Sequence, residues 1–397
     1  MDTSQESTFL EKVHINNFLS LHDVEFALKP LTVLVGANAS GKSNVLRALD
    51  HLRQMMNEDK LPSSDYLQGV LWAGGADRIG FQLDVKINDT SVLYKLELSP
   101  TLENQIMLEQ LQLHGIDIIS IQEGQGIVRD ENDPTRETLY RPSRPKLALK
   151  SAGDYGDKPI TSALYEFIQN WKFYDFEPGQ MRNSEILGQI LRGASGNSTR
   201  PQPTDIDDDG SVLNPLLLNW YENHQEQFSA VNDALKRCTN RELERSGSNG
   251  DVKLNLREGY KTSIPLKWAS DGTLRLIAYN VLLHQQKLPS LIAIEEPERN
   301  LHPAALHTIA NLLEQLAQRT QVIITTHSAQ LLDSFSPDSL GDQLGVLLLH
   351  HVPGEGTKIV DLESVRQNRT ALDGWITDFG IGSAIFQSEL LQNVMEG

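Results

Sequence analysis

A short glycine-rich stretch, set between a strand and a helix, constrains this chain more than any other feature. It reads Gly36-Ala37-Asn38-Ala39-Ser40-Gly41-Lys42-Ser43 and fits the pattern G-x-x-x-x-G-K-[ST] at every fixed position. The apolar run Leu31–Val35 before it predicts a buried strand, and the apolar spacing over Asn44–Arg53 after it predicts a helix. A strand, a glycine loop and a helix in this order form the context that a phosphate-binding loop requires.

The residue types of this loop are suited to hold a nucleotide. Glycines allow the backbone to turn its N–H groups towards phosphate oxygens, and the start of the following helix adds a positive dipole. Lys42 would reach the β- and γ-phosphates and act in catalysis, and Ser43 would bind Mg²⁺ through its hydroxyl group. The sequence therefore predicts that ATP and Mg²⁺ are bound by Gly36, Ala37, Asn38, Ala39, Ser40, Gly41, Lys42, Ser43 and Asn44.

Two later apolar runs end in polar side chains. Leu291–Glu296 ends in two acids, and Val322–Ser328 carries a histidine near its end. If both runs are buried parallel strands that end at the nucleotide pocket, Glu295 would bind Mg²⁺, directly or through water. Glu296 would act as general base on the attacking water, and His327 would donate a hydrogen bond to the γ-phosphate. The predicted catalytic residues are therefore Lys42, Glu296 and His327, and the predicted metal ligands are Ser43 and Glu295.

A fourth motif, Trp268–Arg275, precedes an apolar helical stretch. Ser270 is a typical cap for the start of a helix, and Gly272 allows close approach to the backbone. Two interpretations stay open: a capped helix and nothing more, or a second phosphate cradle made by Ser270, Asp271 and Gly272. Because the motif lies far from the glycine loop in the sequence, it does not follow that the two share one pocket.

Composition and charge limit the partners and the cellular compartment. The formal net charge is −18, so nucleic acid would need a locally basic groove or the help of a partner. The one cysteine, Cys238, excludes an internal disulfide framework and a cysteine-based zinc hook. No apolar run approaches the length of a membrane span, and the polar start Met1–Thr8 does not resemble a signal peptide. We therefore expect a cytoplasmic protein that does not enter the membrane.

The chain divides by composition into four parts. We expect a β-rich N-terminal lobe, a loop-rich and helical insert, a C-terminal ATPase lobe and a C-terminal tail, which cover residues 1–122, 123–260, 261–350 and 351–397 in that order. In the first lobe, Ile79–Ile87 and Ser91–Leu98 predict a hairpin. The end of the tail, Ala371–Gly397, predicts short helices.

The insert combines loops, charge and helices. Gln122–Lys158 predicts a loop, and Arg192–Gly210 predicts a flexible acidic loop. Leu213–Leu243 is helical in composition, although its apolar spacing is too irregular for a long coiled coil. A basic cluster in the first loop is either a solvated surface or a site for an anionic partner, and it consists of Arg136, Arg141, Arg144, Lys146 and Lys150.

In their order, the four motifs resemble those of the ATP-binding-cassette ATPases, and more narrowly the RecF and SMC branch with its OLD nuclease relatives. Lys12–Phe18 resembles the opening strand of that branch, and Ala269–Thr273 stands where the family has its Leu-Ser-Gly-Gly-Gln signature. Glu298–Pro303 resembles the loop after the acid pair, and His327 falls on the switch histidine. The resemblance implies an α/β fold, an ABC-type P-loop ATPase head with a β-rich N-terminal lobe, a mixed or parallel core sheet and a helical insert.

The chain departs from the family pattern at several positions. Glu295 replaces the usual aspartate, and Asp271 replaces a glycine of the signature. Gln68 and Gln82 are the candidates for the glutamine of the family's glutamine loop. The insert lacks the long heptad arms of SMC proteins, so tethering of chromosomes over long distances is not expected.

By resemblance, the chain is a Mg²⁺-dependent ATPase that works as a homodimeric switch with ATP sandwiched between two copies. We expect it to control a separate nuclease or other nucleic-acid-processing effector in prokaryotic defence, since residues 351–397 are too few for the nuclease domain of OLD-type relatives. The alternative is a RecF-like DNA-repair ATPase that binds DNA itself. A transport ATPase is a third hypothesis, against which Lys12–Phe18 and Glu295–Pro303 argue.

Overall fold

The computed structural model describes residues 7–154, 158–183, 202–247, 253–259, 261–368 and 370–387. The strands, numbered in chain order, are β1 Thr8–Phe18, β2 Leu21–Ala27, β3 Leu31–Val35, β4 Ile79–Ile87, β5 Thr90–Leu98, β6 Ile106–Leu113, β7 Ile116–Gln122, β8 Gln125–Arg129, β9 Glu137–Tyr140, β10 Trp171–Tyr174, β11 Glu242–Ser246, β12 Lys253–Arg257, β13 Ile264–Pro265, β14 Leu291–Glu295, β15 Gln321–Thr326, β16 Leu344–Val352 and β17 Gly356–Asp361. The labelled helices are α1 Lys42–Asn57, α2 Ser64–Val70, α3 Pro159–Gln169, α4 Leu213–Asn223, α5 Gln225–Thr239, α6 Asp271–His284, α7 Leu306–Ala317, α8 Ala329–Leu332, α9 Leu362–Asn368, α10 Thr370–Phe379 and α11 Ile381–Gln387.

An eight-stranded antiparallel sheet forms most of the N-terminal lobe, in the order β2-β1-β4-β5-β6-β7-β8-β9. Buried and more exposed side chains alternate along β4 and β5, because one face of the sheet packs on a core. The predicted hairpin is confirmed: Ile79 pairs with Leu98 and Ile87 with Thr90. Asn88 takes a φ of 53° in its turn, which suits the twist of a tight hairpin.

The prediction of a loop over Gln122–Lys158 is wrong in its first part. Strands β8 and β9 pair with each other and extend the sheet through Tyr140. The chain reverses between β7 and β8 at Glu123 and Gly124, which both have positive φ values. Such a pair makes a tight two-residue hairpin turn, so the glycine here marks a turn and not the start of a long loop.

A six-stranded sheet, in the order β10-β14-β15-β3-β16-β17, runs through the centre of the molecule. All neighbouring strands in it are parallel except the β16–β17 pair. The carboxyl ends of β14, β15 and β3 therefore meet at one edge, where Glu295 pairs with Thr325 and Thr326 pairs with Val35. This mixed α/β architecture confirms the predicted fold class.

Two hydrophobic cores cover the two faces of this central sheet. Along β3, Leu31, Val33 and Val35 pack into one core and Leu34 packs into the other. Burial on both faces explains why β3, β14 and β15 are continuous apolar runs. Helix α1 packs on the second core through the face predicted from its spacing, namely Val45, Leu46, Leu49 and Leu52.

Strands β11 and β12 of the insert form a small third sheet with β13 of the following lobe, in the order β11-β12-β13, and helices of the insert join the first core. The predicted helical stretch Leu213–Leu243 forms α4 and α5 and then enters β11. At the C-terminal end, α10 and α11 confirm the predicted short helices, while 388–397 lie outside the described residues. Within the described parts of the chain, no helix is both long enough and apolar enough to cross a membrane.

The acidic run before α4 is ordered by its own hydrogen bonds. Asp207 accepts hydrogen bonds from the Ser211 hydroxyl and, at 3.0 Å, from the backbone N–H of Val212. Asp209 accepts one from the Ser211 N–H at 2.9 Å. Residues 202–210 form a loop, as predicted, and its acidic end folds into a turn, while 192–201 lie outside the described residues.

Candidate nucleotide-binding site

The glycine loop lies where β3 ends and α1 begins, as predicted. Gly41 has a φ of 104°, and a Cβ atom there would lie 2.2 Å from the Thr357 hydroxyl oxygen. A Cβ atom on Gly36 would lie 2.3 Å from the carbonyl oxygen of Leu349. Both positions therefore exclude any side chain, because such distances are far below van der Waals contact.

Lys42 points back across the loop from the first turn of α1. Its Nζ atom donates hydrogen bonds to the carbonyl oxygens of Gly36 at 2.7 Å and Ala37 at 2.9 Å. Burial lowers the pKa of Lys42, and the nearby carboxylates of Glu296, Glu298 and Glu295 oppose this shift. The amine thus lies between the loop and the acids, in the place from which a lysine reaches phosphate oxygens.

A cavity of about 370 Å³ opens between the loop and the acid pair. The side of the loop contributes Asn38, Ala39, Ser40, Gly41, Lys42, Ser43 and Asn44, and the facing side contributes Glu295, Glu296 and Thr325. The buried Ser40 hydroxyl, in the lining of this cavity, has no hydrogen-bond partner. It is therefore available to form a hydrogen bond with a bound ligand.

The cavity suits a nucleotide phosphate chain with a divalent ion. Ser43 and Glu295 contribute a hydroxyl and a carboxylate to it, which are the oxygen ligands that Mg²⁺ prefers. Across the described ranges, no group of three or more His, Cys, Asp or Glu side chains could hold a metal ion by itself. A bound Mg²⁺ would therefore complete its ligands with phosphate oxygens and water, as is usual for this ion.

The two acids leave β14 in different conformations. Glu295 is the last residue of the strand, whereas Glu296 has a φ of 42° and turns away from the strand direction. The N–H of Glu296 donates to the carbonyl oxygen of Thr325 at 3.1 Å, which fixes the turn. A glutamate in this left-handed region carries backbone strain, a feature that often accompanies functional sites.

His327 is joined to the second acid. Its Nδ1 atom lies 3.0 Å from Oε1 of Glu296, and 55% of its side chain is exposed. Behind them, the Thr326 hydroxyl donates to Glu298 at 2.5 Å, and burial raises the pKa of Glu298. The histidine therefore orients the Glu296 carboxylate from its exposed side.

The rear of the loop is supported by residues that the sequence does not reveal. The Asn44 side-chain amide donates to the Ser20 hydroxyl at 2.8 Å, and the Ser20 and Thr357 hydroxyls are 2.7 Å apart. These residues come from α1, the β1–β2 turn and β17. No spacing rule connects such distant positions, so only the folded chain shows that they form one network.

The fourth motif forms a capped helix start on a separate cavity of about 700 Å³. Ser270 accepts a hydrogen bond from the N–H of Thr273 at 3.3 Å, which confirms the predicted cap. A Cβ atom on Gly272 would lie 3.0 Å from the carbonyl oxygen of Asn300, so the predicted close backbone approach is also confirmed. Ser270, Asp271 and Gly272 line this second cavity, and none of them lines the first.

Residues 31–333 match a protein-family model described as "AAA domain, putative AbiEii toxin, Type IV TA system". This match covers most of the sequence. The chain belongs to this AAA-domain family. Together with the fold, the match agrees with the predicted resemblance to ABC-type ATPases of the branch that includes the SMC and OLD proteins.

Two curated relatives of this AAA-domain protein are nucleases. The Old nuclease of Escherichia phage P2 is 21% identical over 360 residues, which are 82% of this chain and 57% of that protein. An OLD nuclease of Thermus scotoductus is 44% identical over 41 residues, which are 10% of this chain and 8% of that protein. The chain thus spans little more than half the length of the first relative.

Two solved structures show the same fold as this AAA-domain protein. One is an SMC head bound to the C-winged helix domain of ScpA, with 13% identity, a TM-score of 0.50 and coverage of 90% of this chain and 99% of that chain. The other is an Smc head domain with an extended coiled coil, bound to the C-terminal domain of ScpA derived from Pyrococcus furiosus. It has 11% identity, a TM-score of 0.52 and coverage of 91% and 98%.

Two sets of predicted residues lie away from the first cavity of this family member. Gln68 is exposed on α2, and Gln82 on β4 donates to Asp84 at 3.3 Å, so neither glutamine lines the cavity. In the basic cluster, Arg136 pairs with Asp133 at 3.1 Å, while Arg141 and Arg144 are exposed. A role for that cluster stays a prediction.

Arginines near the fourth motif were not predicted. Arg182 donates to Asp271 at 2.5 Å, and Arg241 donates to the Thr273 hydroxyl at 2.7 Å. Arg275, on the inner side of α6, is 1% exposed and lies 3.9 Å from Asp175. Single arginines scattered over the chain give no sequence signal, because their roles depend on the contacts that folding creates.

Proposed function

We propose that this chain hydrolyses ATP with Mg²⁺ and that two copies close on ATP to form a switch. The observation that carries the proposal is that the glycine loop and the capped helix start line separate cavities of one chain. The glycine loop and acids line one cavity, and the capped helix start with Ser270 and Gly272 lines another. A second copy that presents its helix start to the first cavity would bring the two elements together.

Within one copy, the proposed roles follow from the contacts. Lys42 would turn from the loop carbonyl oxygens to phosphate oxygens and neutralise their charge. Ser43 and Glu295 would hold Mg²⁺, which supplies further neutralisation of phosphate charge when bound. Glu296 would accept the proton of the attacking water, and His327 would keep its carboxylate in position.

The second copy would contribute backbone N–H groups from its helix start. Ser270 and Gly272 mark this start, which carries the positive end of the helix dipole. Assembly of the dimer would then depend on the γ-phosphate, because without it the helix start of one copy has no anion to bind on the other copy. Hydrolysis would weaken the dimer, which is how a nucleotide can set the state of a partner protein.

We propose that this partner is a nuclease or another nucleic-acid-processing effector in prokaryotic defence. The relatives with curated names are nucleases, and the matched family model names a toxin of a toxin–antitoxin system. The cutting function would belong to that effector. The cytoplasm is the proposed location, since a nuclease effector would meet its nucleic acid there.

The dimer proposal can be tested with Glu296→Gln, which should bind ATP without rapid turnover. Light scattering coupled to gel filtration should show a mass near 44.4 kDa without nucleotide and about twice that mass with ATP and Mg²⁺. Lys42→Ala is the matched control and should not respond to ATP. A Glu296→Gln variant that binds ATP yet keeps the same mass would contradict the switch.

Salt-dependent DNA binding tests whether the chain acts through a partner. With a net charge of −18, the chain alone should bind DNA weakly, both with and without ATP. Fluorescence anisotropy of a labelled duplex at two salt concentrations measures this. Tight ATP-dependent binding by the chain alone would instead support a DNA-repair ATPase that binds DNA itself.

A further inference from the structure

The helix start at Ser270 carries an acid in an unexpected place. Asp271 stands where the signature of ATP-binding-cassette ATPases has a glycine, and it lines the second cavity. The helix dipole favours a carboxylate at this position. A phosphate group brought to the same helix start would, however, meet the negative charge of Asp271, and like charges at contact distance repel. The site needs a compensating cation if it is to receive a phosphate.

Arg182 is placed to be that cation. Its Nη2 atom donates to Asp271 at 2.5 Å and to the carbonyl oxygen of Ala269 at 3.0 Å. Asp271 and Ala269 are the two sequence neighbours of Ser270. The two contacts therefore fix one end of the guanidinium group beside the helix start. About a third of the Arg182 side chain, 33%, is exposed. Arg182 does not line the second cavity itself, but it is hydrogen-bonded to Asp271, which does.

We propose that Arg182 is a catalytic residue that contacts the γ-phosphate of ATP bound to a second copy of this chain. The inference rests on the dimer proposed above. In the open state Asp271 holds the guanidinium group in place. When the dimer closes, the γ-phosphate carries more negative charge than the carboxylate and attracts the same group. Asp271, which replaces a glycine of the family signature, thus has the function of positioning Arg182.

The chemistry of arginine fits this role. Its planar guanidinium group donates along several directions, so it can keep one acceptor while it contacts another. A charge contributed in this way stabilises the transition state of phosphoryl transfer and accelerates the reaction by about 10³- to 10⁵-fold in enzymes that use it. A lysine, with its compact ammonium group, would not hold Asp271, the Ala269 carbonyl oxygen and a phosphate in the same arrangement.

The first test compares Arg182→Ala with Arg366→Ala. Arg366 is also half-buried and paired with two acids, Glu363 and Asp373, but lies on α9, outside both cavities. We expect Arg182→Ala to lower kcat at least about a hundredfold, with unchanged ATP affinity and melting temperature, and Arg366→Ala to keep wild-type turnover. Wild-type turnover of Arg182→Ala would overturn the proposal. If Arg182→Ala loses turnover and also melts at a lower temperature, the mixing test below decides between a catalytic and a structural role of Arg182.

Mixing separates action on a neighbour from action on the same chain. Lys42→Ala lacks a working phosphate loop but keeps Arg182, whereas Arg182→Ala has the reverse defect. We expect the mixture to recover turnover in proportion to the mixed dimers that form, because each mixed dimer has one intact site of two. No recovery would show that Arg182 acts on its own chain's nucleotide or only in folding, and would overturn the proposal.

The mixture of Lys42→Ala with Ser270→Arg serves as reference for this test. If the reference recovers activity and the Arg182→Ala mixture does not, only the role of Arg182 fails. If neither recovers although mixed dimers form, the shared site itself fails and the role of Arg182 fails with it. The two proposals are therefore tested separately.

The double variant Arg182→Ala/Asp271→Gly tests whether Arg182 only neutralises Asp271. If neutralisation were its whole role, removal of the acid would restore activity to the Arg182→Ala protein. We expect the double variant to remain at least about a hundredfold slow, because the γ-phosphate still lacks its cation. Recovery to near wild-type turnover in the double variant would overturn the proposal.

Discussion

At the scale of single residues, the site depends on a lysine held among carboxylates. Lys42 donates to two loop carbonyl oxygens, and its buried amine faces Glu295, Glu296 and Glu298. None of these contacts belongs to the hydrophobic cores, so the charge of the lysine serves the pocket and not the packing. This placement separates the function of Lys42 from the stability of the fold.

We predict that Lys42→Ala abolishes ATP binding and hydrolysis while the fold stays intact. Loss of the amine removes the cation that would face the phosphates, whereas the aliphatic part of α1 still packs on its core. Calorimetric titration with ATP and a thermal melt of the apoprotein measure the two effects. Undiminished turnover in the purified variant would remove Lys42 from the site.

The acid pair gives a second prediction at this scale. Glu296→Gln should bind ATP and hydrolyse it at least about a hundredfold more slowly, since a general base contributes on that order. The reason is that Glu296 carries the contact with His327, whereas Glu295 is the last residue of the strand and the proposed metal ligand. Single-turnover rates of Glu295→Gln and Glu296→Gln measure the difference. If Glu295→Gln showed this phenotype and Glu296→Gln were nearly normal, the two roles would be reversed.

At the scale of elements, local patterns predicted the strands and helices that position the pocket. The runs at Leu31–Val35, Leu291–Glu296 and Val322–Ser328 became neighbouring parallel strands, because each is apolar on both faces and must be buried. Strands β8 and β9 were missed because a glycine turn and nearby prolines resemble a loop in the sequence. The supporting Ser20–Thr357 contact and the arginines around α6 could not be predicted, since they depend on tertiary approach.

A buried acid ties one loop to the N-terminal sheet. Glu109 on β6 accepts hydrogen bonds from the N–H groups of Ala148 at 2.6 Å and Leu149 at 2.8 Å, and from the Tyr94 hydroxyl at 3.1 Å. Burial raises the pKa of Glu109 to about 7, against the effect of these hydrogen bonds. The folded protein therefore keeps this proton at pH values where the unfolded chain has lost it.

The consequence is a pH-dependent stability with a definite sign. Glu109 contributes stability that is complete below the ordinary glutamate pKa of 4.5 and is lost as pH rises to about 7. The free energy of unfolding of wild type relative to Glu109→Gln should therefore fall by about 1.4 kcal/mol per pH unit in that window. Urea melts at several pH values measure this difference, with exposed Glu103→Gln as control. A difference that stays constant from pH 4.5 to 7 would contradict the raised pKa.

At the scale of the whole molecule, the glycine loop and the capped helix start, which the proposed reaction needs together, line two different cavities. The glycine loop, acids and His327 lie at the carboxyl ends of β3, β14 and β15, while Ser270 opens α6 on another cavity. In one copy, the two elements therefore line different cavities. A head-to-tail pair of copies is the arrangement that would complete the site, and it makes ATP itself the link between them.

Mixing two inactive variants tests this central claim most directly. Lys42→Ala keeps an intact helix start, and Ser270→Arg keeps an intact glycine loop, so each should be inactive alone. Combined in equal amounts and allowed to exchange, they should form one intact composite site in each mixed dimer and recover ATP turnover in proportion to the mixed dimers. If native mass spectrometry shows mixed dimers and turnover remains at the level of the separate variants, the shared ATP site is contradicted.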